Sequence, residues 1–99
     1  MGPMGLAAPT MILGVARESS LVFSAGGARS VSAGCAAGEL MTGCSGYWNL
    51  QCAGEDGGRC GFLGAYPDVI EGRAVCVAEA ENDSGTAGTL FVSAICATQ

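Results

Sequence analysis

From Thr10 onward, short apolar runs alternate with Gly-rich breaks, and no stretch holds a helical period. The runs "TMILGVA" and "SLVFS" predict two strands parted by Arg17-Glu18-Ser19. "AGGAR" predicts a turn. "SVSA" leads into Cys35, and "ELMTGC" leads into Cys44. "SGYWNLQCAGEDGGRCG" predicts a long loop with its own cysteine pair, and "FLGAY" and "DVI" flank Pro67. In "RAVCVAEAE", Val75, Val77, Glu79 and Glu81 share one face of a strand. Ala74, Cys76, Ala78 and Ala80 share the other. "NDSGTAG" predicts a turn before the final strand "TLFVSAIC". In that strand Phe91 and Ile95 point one way, and Leu90, Val92 and Ala94 the other. A strand in a small two-layer domain has one wet face. This one is therefore either central and covered, or it meets another chain. Many short strands with Gly-rich turns predict an all-β fold, a small jelly-roll-like β-sandwich. Residues 1–9 show no periodicity and predict a flexible linker or stalk remnant ahead of one Cys-rich domain over residues 10–99.

Composition sharpens this picture. At 99 residues there is room for one domain. Ala and Cys account for 16 and 6 of the nominally apolar residues, which leaves 27 large ones beside 17 Gly. Ordering backbone costs about 1–2 kcal/mol per residue, and Gly loses the most freedom. So thin a core calls for covalent staples or for burial against other copies. Six cysteines, spaced C-x8-C-x7-C-x7-C-x15-C-x19-C, predict three disulfides and an oxidising compartment. There is no C-x-x-C and no His, which excludes the usual zinc patterns. "GPMGLA" contains two Gly-X-Y triplets, the collagen repeat; a linker or cloning remnant is the plainer reading. The opening residues lack a basic n-region and carry Pro3 and Pro9, a poor secretory signal. They predict a piece of a larger secreted protein.

Nine acids stand against four Arg and no Lys, for a net charge of −5. That balance argues against a nucleic-acid footprint and against a polybasic membrane patch. No run approaches the length of a membrane span. Ser45 has no His or Lys to serve as its base and is expected to line a turn. Glu79, Glu81 and Asp83, with Asp56 or Asp68, form either a calcium site or a solvated edge that resists aggregation. The edge is the expected reading. "GEDGG" has the wrong sign for phosphate. Tyr47 and Trp48 either bind a ligand from a rigid loop or cap the core. Asn82-Asp83-Ser84 fits an N-glycosylation acceptor on an exposed turn.

Three pieces recur together: Cys35 followed by "GELMTGCS" through Cys44, "GAY" before "AVCVA", and "VSAIC" at the end. Together they resemble one module of the Cys-rich C-terminal domain of the subtilisin/kexin-type proprotein convertase that controls the low-density-lipoprotein receptor. Those modules are β-sandwiches similar to the globular head of resistin. The resemblance covers roughly residues 30–97. It implies disulfides Cys35–Cys96 and Cys44–Cys76, and it leaves Cys52 and Cys60, which have no family counterpart, to pair with each other. A further family bond is absent together with both its cysteines, since Ala97 stands at one of its positions. The family's threefold arrangement implies a homotrimer for a chain with one module, with Ala74, Ala78 and Ala94 allowing close approach between copies.

The expectation is a secreted, extracellular, non-enzymatic assembly module without cofactor or metal, a homotrimerising head that clusters an attached stalk. The rival class is a lectin-like or receptor-binding module. It would meet an extracellular protein or a glycan through Tyr47, Trp48 and the 52–60 loop.

Overall fold

A computed structural model describes residues 14–24, 27–50 and 60–98. Six strands run through them: β1 (Gly14–Phe23), β2 (Gly27–Gly34), β3 (Glu39–Trp48), β4 (Cys60–Ile70), β5 (Arg73–Asn82) and β6 (Gly88–Thr98). They form two open three-stranded antiparallel sheets, in the orders β1-β6-β3 and β2-β5-β4. The fold is all-β among the described residues. Only β4 and β5 are joined as a hairpin; every other connection carries the chain to the opposite sheet.

Three predicted breaks are continuous strand. Arg17, Glu18 and Ser19 lie in register with Ala94, Ser93 and Val92, so the two predicted N-terminal strands are the single β1. An edge strand with one wet face accommodates these polar residues. Pro67 sits inside β4, also an edge strand, where a missing N–H removes no ladder bond if it faces outward. β3 continues past Cys44 to Trp48, so Ser45 lies in a strand and not in a turn. The rest of the expected loop, residues 51–59, lies outside the described residues, as does the expected linker 1–9.

In β5 both faces are covered around Cys76, since Val75 and Val77 on the opposite face are buried as well. Cys76, Ala78 and Ala80 are buried against Leu90, Val92, Ala94 and Cys96 of β6, and Phe23 and Trp48 join the same cluster. β6 is the central strand of its sheet, and its other face leaves Phe91 partly exposed. Fully burying Leu90 or Val92 is worth about 1.5–3 kcal/mol each. The sheets approach closely because small side chains meet. A Cβ on Gly46 would stand 2.8 Å from the Ala78 Cβ and 3.0 Å from the Phe62 ring. Ala78 and Ala94 are buried in this interior, which corrects the expectation that they face another copy. Both belong to central strands, so the facing sheet occupies the surface that a partner would need.

Two disulfides link the layers. Cys35–Cys96 joins the segment after β2 to β6, with Cα atoms 5.6 Å apart. Cys44–Cys76 joins β3 to β5, with Cα atoms 5.3 Å apart. These are the pairs that the resemblance implies. They span 61 and 32 residues, so each is worth about 4 kcal/mol in the chain-entropy account. Cys60 is also disulfide-bonded; its expected partner, Cys52, lies outside the described residues.

Candidate functional site

Adjacent residues of a strand point to opposite faces, and this separates the two aromatic residues singled out above. Trp48 turns inward and is 9% exposed. Its ring stands 5.2 Å from that of Phe23, centroid to centroid. Gly88 beside it must lack a side chain, since a Cβ there would lie 2.6 Å from the indole. Trp48 therefore caps the core. Its Nε1 is buried and has no hydrogen-bond partner among the described residues.

Tyr47 turns outward and is 62% exposed. It pairs across the strands with Phe91, and their ring centroids are 6.1 Å apart at a tilt of 31°. In the next row of the same face, Glu18 of β1, Ser93 of β6 and Ser45 of β3 are direct cross-strand partners. These residues line a shallow depression of about 110 Å³. The register that assembles it joins three strands, and no local pattern in the chain signals that register. Glu18 and Ser93 are the members that sequence reasoning missed; Phe91 was singled out only as an outward residue of the last strand.

The predicted acceptor Asn82 ends β5 and is fully buried rather than exposed, while Asp83, Gly85, Thr86 and Ala87 of the turn after it are exposed. Its Nδ2 donates to the carbonyls of Phe23 and Thr86, both at 2.9 Å. Its Oδ1 accepts from the Ser84 amide at 3.0 Å and from the Ser84 hydroxyl at 2.7 Å. The amide that would carry a glycan is enclosed, and both its protons are engaged.

Among the described residues, the acids named above form no metal-ligand grouping. Glu79 accepts a hydrogen bond from the Tyr66 hydroxyl at 3.2 Å, which raises the tyrosine's pKa. Asp68 accepts from the Val69 amide at 2.7 Å, and Asp56 lies outside the described residues. Among the described residues, the grouping with metal-ligand spacing is Cys35, Glu39 and Cys96. Its two sulfurs are bonded to each other, so neither offers a thiolate. Glu39 is instead a structural anchor. Arg17 forks onto it at 3.2 and 2.8 Å, and the Ala36 amide donates to it at 2.7 Å. The Arg17 fork, then the Ala36 amide, hold the Glu39 carboxyl below its ordinary pKa.

The other exposed feature is apolar. Phe62, Leu63, Tyr66, Val69 and Ile70 all lie on β4 and are all exposed, Val69 to 68%. Comparison with known proteins finds no matching family model, no matching curated protein and no matching solved structure.

Proposed function

We propose that the chain is a secreted, non-enzymatic assembly module, a jelly-roll-like, resistin-like β-sandwich head that associates as a homotrimer and clusters whatever it is attached to. One observation carries this reading: five large apolar side chains exposed along β4, which its alternation divides between the two faces of the strand. Five large side chains on one edge strand of so small a domain are an aggregation hazard unless something covers them. Pro67 and the register shift between Phe62 and Gly64 disfavour strand-to-strand pairing along that edge. Covering by side-chain packing against another copy is the remaining mode, and a closed ring limits it to a finite assembly. Two inter-sheet disulfides fit an extracellular setting. With no His, the chain lacks the side chain whose ordinary pKa lies near neutral pH.

The paired substitution Val69→Asp with Ile70→Asp tests this. Both side chains are exposed, so the domain should stay folded. By size exclusion the variant should elute as one chain and the parent as three. Identical elution of the two would remove β4 from the interface.

A second reading is a ligand-binding extracellular module. The exposed Tyr47 beside Phe91 favours it.

A further inference from the structure

The outer face of the β1-β6-β3 sheet places unlike groups side by side. Tyr47 and Phe91 form a tilted aromatic pair, with centroids 6.1 Å apart. The neighbouring row supplies a carboxylate and two hydroxyls, Glu18, Ser93 and Ser45, from three successive strands. Glu18 and Ser45 stand two strand spacings apart, about 10 Å between backbones. The depression between them has a volume of about 110 Å³.

Charge selects the sign of the occupant. Glu18 is the ionisable acid of the lining, and no Arg is among the lining residues. Arg17, one residue away, lies on the opposite face of β1 and pairs with Glu39. The whole chain carries −5. Aromatic faces attract cations through the ring quadrupole, and guanidinium is the cation that both stacks on a ring and forks onto a carboxylate. Serine hydroxyls can accept its remaining N–H groups.

We propose that this face docks an arginine side chain presented by a basic partner protein. In the docked state the guanidinium lies over Tyr47 and Phe91, directs two N–H groups to Glu18, and meets Ser93 and Ser45 with the others. This rests on the second reading above, that the face binds a ligand, and it is independent of assembly through β4. A single exposed site of this kind binds weakly, in the millimolar range, and weakens with salt.

Titration of the full chain, followed by amide chemical shifts, tests the proposal with three probes: N-acetyl-arginine amide, its neutral citrulline analogue, and a methyl glycoside. The arginine probe should shift amides of residues 45–47 and 91–93, and citrulline should leave them in place. Glu18→Gln and Tyr47→Ala alter exposed side chains, and each should weaken arginine binding at least fivefold. Equal response to arginine and citrulline, or arginine binding untouched by Glu18→Gln, would overturn the guanidinium assignment. A response to the glycoside alone would overturn it while leaving a binding face. No response to any probe would remove both.

Discussion

One amide, that of Asn82, ties together segments far apart in the chain. Its Nδ2 reaches the Phe23 carbonyl across 59 residues and the Thr86 carbonyl across 4. Asn82→Ala would strand the buried Phe23 carbonyl, at about 1–3 kcal/mol, and would also remove the bonds that hold Thr86 and Ser84 to the strand end. A loss of about 2–4 kcal/mol in urea unfolding is expected. The same burial predicts that protein secreted from glycosylating cells carries an unmodified Asn82, which intact-mass measurement checks. The glycosylation triplet was legible in the sequence. The burial was not, because it depends on a partner 59 positions away. Tyr47 and Trp48 are different. Period-2 alternation already implies that two neighbours in a strand part company, and they read as one site only because the strand's end was placed too early. Glu39 supplies a pH prediction. Its pKa is held below the ordinary 4.5 in the folded state, so its contribution to stability is complete above that value. The contribution is lost as pH falls through the lowered value. Replacing Glu39 with Gln should therefore flatten part of the acid limb of the stability curve, as read by thermal melts from pH 6 to 2.

Among the elements, the β4–β5 hairpin carries the plainest local strain. Its two turn residues, Glu71 and Gly72, have φ of 53° and 78°, both in the left-handed region. That is the geometry of a type I′ turn, which favours Asn-Gly. Glu71→Asn should stabilise the domain by up to about 1 kcal/mol, because a left-handed conformation costs an ordinary residue roughly 1–2 kcal/mol. A melt that moves down would contradict the turn assignment. Contact between the sheets is the opposite case, since Gly46 leaves no space for a larger residue. Gly46→Val should cost at least about 1–3 kcal/mol by overpacking against Ala78 and Phe62. The central strands β5 and β6 are legible as long, largely apolar runs without a break. The edge strands β1 and β4 are harder to read, because polar residues and Pro67 within them resemble breaks. An edge position tolerates both, and edge position is a property of the sheet rather than of the segment.

For the whole molecule, the thin core is met first by the two bonds that cross between the sheets. Removing either pair, Cys35 with Cys96 or Cys44 with Cys76, should cost about 2–5 kcal/mol. That is on the order of the entire stability of a small domain. What the disulfides leave uncovered is β4, and the proposed assembly accounts for it. Ala78 and Ala94, two of the three alanines expected at that interface, are buried inside the domain, so in the proposed assembly the exposed side chains of β4 would carry the contact. Obligate interfaces of this kind are large and mostly apolar, and they resist dilution and salt. Sedimentation equilibrium of the unmodified chain tests the central claim most directly. Across micromolar concentrations and from low to high salt, the account predicts a mass of three 9.8 kDa chains. A mass of one chain under the same conditions would contradict it.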